Sequence, residues 1–376
     1  MKQKGMKIGT LSLNINTDDL NYGAMLHSWA FQQVLNQINP KGRNEIIDYI
    51  PNVVEHFNSS RPVLSYLKMH RYTSAVKISL SYFPYQKRAK KFRSFINSKM
   101  KVSSGKYTHS TIAKAKLDYS CLICESDVIW SSTFFNGDFD ETFFLAFPNM
   151  QDKKKIIYSA SMGNGNFTES EMKKFRSLVQ YPDAISCRES YAAEIVRKQT
   201  DRPAVHVADP VLLLKKEDYA CLLKKNFIKK PYLLLYIPVN YDDKIHRLAM
   251  NYAKKHHLEV IEISYYTWHK FSHRVISDAG IEEFLTLIKN ASAVFTSSFH
   301  AVCFSMLFQV QFYAFQRKTG RKTEDILQYL DLSNRYSGTD DFREQPPINY
   351  SEVTAHLDTF RNHSLNWLRR ALGESV

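Results

Sequence analysis

The stretch from Ala291 to His300 joins an apolar run to a polar turn that carries two hydroxyls and an imidazole. It predicts a short buried strand, Val294 to Thr296, entering a turn that opens a helix near Ala301. A strand-to-helix turn leaves backbone N–H groups directed at whatever binds there. Ser297 and Ser298 add hydroxyl donors, and His300 adds a group that gives or takes a proton near neutral pH. Together they make an anion site with an acid or base attached. A helix cap followed by a core-facing histidine accounts for the same residues, and the motif alone leaves both readings open.

Five further polar segments follow apolar runs or open helices. They are Asn21-Tyr22-Gly23-Ala24, Glu125-Ser126-Asp127-Val128-Ile129-Trp130, Tyr158-Ser159-Ala160-Ser161-Met162-Gly163, Ser186-Cys187-Arg188-Glu189 and Ala208-Asp209-Pro210-Val211-Leu212-Leu213. Each has an ordinary explanation. Asp127 can form an Asx turn, Asn21 can cap a helix while Tyr22 packs in a core, and an Arg-Glu pair is commonly a surface ion pair. Asp209-Pro210 reads as a structural turn. Cys121 and Cys124 form a C-x-x-C inside an apolar run with no second pair downstream, which suits a core or edge role. No His/Asp/Glu cluster has the spacing of metal ligands, so no metal is expected.

These segments need a frame. Apolar strands are expected at Lys7 to Leu13, Glu45 to Tyr49, Tyr119 to Glu125, Lys155 to Ser159, Asp183 to Ser186 and Val205 to Val207. A second series runs Tyr232 to Tyr236, Leu258 to Ile263, Val294 to Thr296 and Gln311 to Phe315, with helical periods between them. A polar loop is expected from Asn14 to Gly23. Short apolar strands alternating with helices predict an α/β chain of two doubly wound, Rossmann-like domains facing across a cleft. The expected boundaries are 1–207, 208–345 and a C-terminal helix in 346–376. A basic, aromatic, helical insertion is expected near 53–104. Ligands of open α/β sheets bind beyond the carboxyl ends of the strands, where these polar segments fall.

The chain has 376 residues and 51 Lys and Arg against 37 Asp and Glu, a formal charge of +14. That balance suits anionic partners such as phosphorylated metabolites, nucleic acid or an anionic membrane face. No zinc-finger spacing or RNA-recognition motif is present, so nucleic acid is not the expected partner. Lys87, Arg88, Lys90, Lys91 and Arg93 stand beside Phe83, Tyr85 and Phe92, a composition that suits a headgroup boundary as well as an ordinary solvated helix face. No apolar run reaches membrane-spanning length, the first residues lack the apolar core of a signal peptide, and five cysteines fit a reducing compartment.

The six polar segments, in this order, resemble the polysaccharide pyruvyl transferase family over roughly residues 7–330. The family pattern has an Asn-Tyr-Gly-Ala helix start, Gly-Ser-Asp-x-x-Trp, Ser-Ala-Ser-x-Gly, Ser-x-Arg-Glu, Asp-Pro-x-Leu-Leu and Ser-Phe-His. Glu125 stands where the family usually has Gly, Ala301 where Gly often follows the histidine, and Lys322 where Arg often precedes the late helix. The resemblance implies a GT-B-like fold and transfer of pyruvate from phosphoenolpyruvate onto two hydroxyls of a sugar, in bacterial capsular or exopolysaccharide synthesis. Phosphoenolpyruvate is then a co-substrate, and no cofactor is expected. The donor side is expected in the second domain, with Arg188, Ser297, Ser298, His300, Arg321 and Lys322 as ligands. His300 would act as general acid or phosphate clamp, and Arg188 as donor ligand. The acceptor side is expected in the first domain, with Asn21, Tyr22, Ser126, Asp127, Ser159 and Ser161. A lipid-diphosphate-linked sugar and peripheral attachment at the cytoplasmic face of the inner membrane fit this chemistry. The alternative is a GT-B glycosyltransferase that uses a nucleotide sugar.

Overall fold

A computed structural model describes residues 5–13, 20–54, 61–148, 150, 152–238, 242–267, 273–316 and 321–374. Residues 14–19 of the expected polar loop and residues 55–60 of the expected insertion lie outside the described residues.

Among the described residues, seven strands build the first sheet: β1 (Lys7–Leu11), β2 (Arg43–Ile50), β3 (Val102–Thr108), β4 (Cys121–Glu125), β5 (Lys154–Ala160), β6 (Ala184–Cys187) and β7 (Val205–His206). Six build the second: β8 (Tyr232–Tyr236), β9 (Glu259–Ile263), β10 (Arg274–Ile276), β11 (Ala293–Thr296), β12 (Gln311–Phe315) and β13 (Tyr336–Ser337). Every pairing is parallel. The orders are β3-β2-β1-β4-β5-β6-β7 and β10-β9-β8-β11-β12-β13. Both sheets reverse their winding, between β1 and β4 and between β8 and β11. Connections leave in opposite directions there and open a crevice at the strand ends. The chain is thus α/β with two Rossmann-like halves.

Central strands read as unbroken apolar runs because both of their faces are covered. All five residues of β8, Tyr-Leu-Leu-Leu-Tyr, are buried, as are all five of β4. Cys121 and Cys124 lie on β4 in different core clusters, and burial pushes the Cys121 thiol up to about 12.

Strand β3 corrects the expectation of helix through residue 104. It is a half-buried edge strand, Val-Ser-Ser-Gly-Lys-Tyr-Thr, whose small polar residues carry little apolar signal. The basic cluster is corrected in part. In the helix Tyr82–Lys99, Arg88, Tyr85 and Phe92 are buried. Arg88 donates to the carbonyl of Ser264 at 3.2 Å and lies 4.4 Å from the Tyr265 ring. Lys87 pairs with Asp278 at 2.5 Å and Lys91 with Glu283 at 3.1 Å. Arg88 and Lys91 thus clamp the second half, while Lys87, Lys90 and Arg93 remain exposed.

Further contacts join the halves. Tyr22 stacks on Phe284 with centroids 4.4 Å apart and donates to Ala279 O at 2.8 Å. Such a stack contributes about 1 kcal/mol beyond the area it buries. Ser190 N donates to Asp325 at 3.0 Å. The helix Tyr350–Leu372 reaches back over the linker: Ser364 Oγ accepts from Ala208 N, and Arg361 Nε donates to Leu212 O, both at 2.8 Å.

Candidate active site

His300 lies in the first turn of the helix Phe299–Phe308, directly beyond β11. Ser298 caps that helix, its hydroxyl accepting from Ala301 N at 3.4 Å. The helix starts two residues earlier than expected, and Ser298 is the cap that precedes the histidine. The turn therefore both caps the helix and aims the imidazole away from it. The ring lies against Gly23 of the helix Tyr22–Ile38, where a Cβ would stand 2.0 Å from His300 Nδ1. Glycine is required there for this close approach, which brings the two halves together.

His300 Nε2 faces Asp209 Oδ2 at 3.7 Å, an ion-pair distance too long for a hydrogen bond. Asp209 is the hub of the cluster. Its Oδ2 accepts from Ser126 Oγ at 2.8 Å and from Arg188 Nη1 at 3.1 Å, while Oδ1 caps the turn at Val211 N. Burial would raise its pKa, but His300, Arg188 and His27 hold it far below the usual carboxylate range. Reading Asp209-Pro210 as structural was half of the matter: one carboxylate oxygen caps and the other organises the site.

Arg188 projects from the end of β6. It is 4% exposed and stands between two carboxylates, with Nε 3.2 Å from Glu189 Oε1 and Nη1 on Asp209. Its guanidinium also lies 4.8 Å from the Phe299 ring. Arg188 is therefore already neutralised, not a bare cation awaiting an anion. Its Nη2 is buried and makes no hydrogen bond, and the same holds for Ser159 Oγ and His300 Nε2. Buried polar atoms of this kind call for a partner.

Ser126 and Asp127 follow β4 with φ of 51° and 54°, a left-handed pair that costs non-glycine residues energy. Asp127 Oδ1 accepts from its neighbour Val128 N at 2.9 Å, one residue on and not the two residues of an Asx turn. Burial pushes its carboxyl up, and Lys322, His27, Arg188 and His300 outweigh this and pull it down, so it is ionised. Ser161 Oγ accepts from Gly163 N at 3.2 Å, and its backbone N–H donates to Asp127 O, tying the β4 and β5 turns together.

Glu125 is fully buried. It turns into the Tyr22–Ile38 helix, accepting from His27 Nδ1 at 2.8 Å and from the Ser28 hydroxyl. His27 was not anticipated: a single histidine in an apolar helix gives no local signal. Its ring stacks near His300 with centroids 5.9 Å apart, and Nε2 points toward Asp127 at 3.9 Å. Burial lowers the His27 pKa, yet Glu125, Asp127 and Asp209 raise it above its ordinary value. For His300 burial wins, and its pKa lies below the ordinary value despite Asp209.

The remaining expected residues are placed less centrally. Tyr22 is a correction: its ring and hydroxyl are both used between the halves, so it packs rather than meeting a sugar. Asn21 caps its helix through Oδ1, accepting from Gly23 N at 2.9 Å. Ser297 is 5% exposed in the turn. Lys322 approaches Phe299 with Nζ 5.8 Å from the ring, and its charge is the first to lower Asp127. Arg321 is exposed and lies over Tyr191 at 4.9 Å.

The cluster thus joins a buried imidazole, an ionised carboxylate hub, a paired guanidinium and a second carboxylate facing a lysine. Such a set can bind an anion, deliver a proton and accept one.

Solved structures similar over the whole chain share its fold. The UDP-GlcNAc 2-epimerase of Methanocaldococcus jannaschii, in complex with UDP-GlcNAc and UDP, is 13% identical with a TM-score of 0.52, covering 98% of this chain and 99% of its own. The Neisseria meningitidis UDP-GlcNAc 2-epimerase is 10% identical at a TM-score of 0.51, with 98% and 99% covered. Arabidopsis thaliana UGT89C1, complexed with UDP-L-rhamnose, is 9% identical at 0.51, also with 98% and 99% covered. At these identities the likeness is one of fold, the GT-B arrangement of two Rossmann-like domains. No curated protein matches the sequence. The family model for polysaccharide pyruvyl transferase matches residues 21–319, a span that holds the Gly23, Asp127, Arg188, Asp209 and His300 cluster, and the chain belongs to the polysaccharide pyruvyl transferase family.

Proposed function

We propose that this enzyme moves pyruvate from phosphoenolpyruvate onto two hydroxyls of one sugar, forming a cyclic ketal and releasing phosphate. The product belongs to bacterial capsular or exopolysaccharide synthesis. The observation that carries the reading is the meeting of His300, Asp209 and Arg188 at the crevice between the two sheets.

The donor brings a carboxylate and a phosphate. Lys322, the Arg188 Nη2 and the Ser297-Ser298 turn are the groups proposed to hold them. With nothing bound, burial keeps His300 neutral. A phosphate beside it favours the imidazolium, and Asp209 supports that charge. The enol carbon–carbon pair then takes the proton from His300, leaving C2 electrophilic. A sugar hydroxyl attacks C2 and gives its proton to Asp127. Phosphate departs with the C2–O electron pair and carries off the proton held by Asp127, and the second hydroxyl closes the ketal at C2 and returns its proton to His300. Of the two hydroxyl protons, one ends in the methyl group and one on phosphate. Phosphate release that requires both phosphoenolpyruvate and a diol acceptor supports this scheme. Sugar transfer from a nucleotide sugar, with no use of phosphoenolpyruvate, overturns it.

The acceptor is proposed to be lipid-diphosphate-linked, with the enzyme peripheral at the inner membrane face. Among the described residues no helix is long and apolar enough to cross a membrane. The support for attachment is an exposed apolar set on the helices Pro62–Lys68, Tyr72–Leu80 and Tyr82–Lys99: Leu64, Leu67, Tyr72, Val76, Leu80 and Phe83, the last 84% exposed. Lys68, Arg71 and Lys77 stand exposed among them. Sedimentation with anionic vesicles should be lost in Leu80→Ser/Phe83→Ser and weakened by high salt. Equal partitioning of the variant and the wild type refutes the attachment.

A further inference from the structure

A second cluster lies in the second half, two strands away from β11 and independent of the reading above. His246 is in the first turns of the helix Asp243–Lys255, Glu262 is on β9, and His273 directly precedes β10. Glu262 Oε2 is 3.1 Å from His246 Nε2 and 2.6 Å from His273 Nε2. The three ligand atoms lie within 4.8 Å of one another. His246 and Glu262 are 1% and 2% exposed.

Proton accounting makes the cluster unusual. His246 Nδ1 is 3.2 Å from the carbonyl oxygen of Asp242, which only accepts, so Nδ1 carries the hydrogen. A neutral His246 ring then turns the lone pair of Nε2 toward a carboxylate oxygen. Two acceptors face each other in a buried site, and a positive centre must sit between them. An extra proton is one such centre and a metal ion is the other. An imidazole backed by a main-chain carbonyl, with its far nitrogen facing a carboxylate and a second imidazole, is the orientation that ligating histidines take.

We propose that His246, Glu262 and His273 bind a divalent transition-metal ion, zinc by the chemistry of the donor set. Two imidazoles and one carboxylate suit zinc, with water completing a tetrahedron. Ligand atoms about 2.0–2.1 Å from zinc stand roughly 3.3 Å apart, so modest side-chain shifts open the present trio to receive it. The ion ties the Asp243–Lys255 helix to the β9–β10 connection. That connection begins with Ser264 and Tyr265, where Arg88 of the first half lands. The ion thereby supports the contact between the halves.

The test uses the full chain, stripped with chelator, dialysed and titrated with zinc chloride by calorimetry. Thermal melts and metal analysis accompany the titration. One zinc per chain is expected, with a raised melting midpoint. Loss of one ligand in Glu262→Gln or His246→Gln should weaken binding on the order of 100-fold or more and abolish the shift. Should the variants fold poorly, cobalt(II) bound to the wild-type chain reports the site through its tetrahedral absorption bands. Absence of a zinc equivalent in the wild type, or unchanged zinc affinity in the folded variants, overturns the proposal and leaves a hydrogen-bonded His–Glu–His cluster.

Discussion

Asp209→Asn tests the hub of the cluster with almost no change in shape. The amide oxygen can still cap Val211 N, but the charge facing Arg188 at 3.1 Å and His300 at 3.7 Å is gone. A unit pair at 3.7 Å is worth about 4 kcal/mol at an effective dielectric near 20. That attraction supports the imidazolium required for protonation, against the burial that disfavours it. If about 3 kcal/mol of it reaches the transition state, turnover falls about 100-fold or more. Stability falls as well. Breaking a buried ion pair costs about 3–5 kcal/mol, and the lower end applies because Glu189 still faces Arg188. Phosphate release from phosphoenolpyruvate and acceptor, with urea unfolding alongside, reads both effects. Activity within threefold of wild type in a folded Asp209→Asn protein would refute the hub.

Other outcomes follow from the same contacts. Gly23→Ala places a Cβ where His300 Nδ1 stands, so activity should fall more than tenfold with a stability loss of about 1–3 kcal/mol; near-normal kinetics would show that the close approach is unimportant. Arg188→Lys offers one point charge to two carboxylates, and phosphoenolpyruvate binding should weaken by about 1–3 kcal/mol in a calorimetric titration; unchanged affinity removes Arg188 from the donor site. His300 has a depressed pKa, so the stability present above about pH 6.5 is lost as pH falls toward its folded value, whereas the raised pKa of His27 adds stability at low pH that is lost as pH rises. The drop in urea midpoint between pH 7.5 and 5.5 should therefore be smaller in His300→Asn than in wild type, and an equal drop would contradict a desolvated His300.

Much of this was legible in the sequence because parallel strands announce themselves. The all-apolar β8 and the run into Ser297 need no partner in order to be recognised. Strand β3 was hidden because an edge strand rich in serine and glycine has no such run. Arg88 and Tyr85 looked like an interfacial face because helical spacing says which residues share a side, not what covers it. His27 and Asp209 needed the third dimension. Their partners, Glu125 and Arg188, lie 98 and 21 residues away. The departure at Glu125 was visible, but not that His27 and Ser28 turn it inward. His246, Glu262 and His273 come from different elements, so no spacing rule finds them.

On the proposed mechanism, His300 serves pyruvyl transfer from phosphoenolpyruvate. Mass spectrometry of a panel of sugar acceptors, incubated with phosphoenolpyruvate and either wild type or His300→Asn, addresses it most directly. A pyruvyl adduct is expected on an acceptor with two suitably placed hydroxyls, formed by wild type and absent with the folded variant. An adduct formed equally by His300→Asn, or a nucleotide-sugar product with no adduct at all, would contradict it.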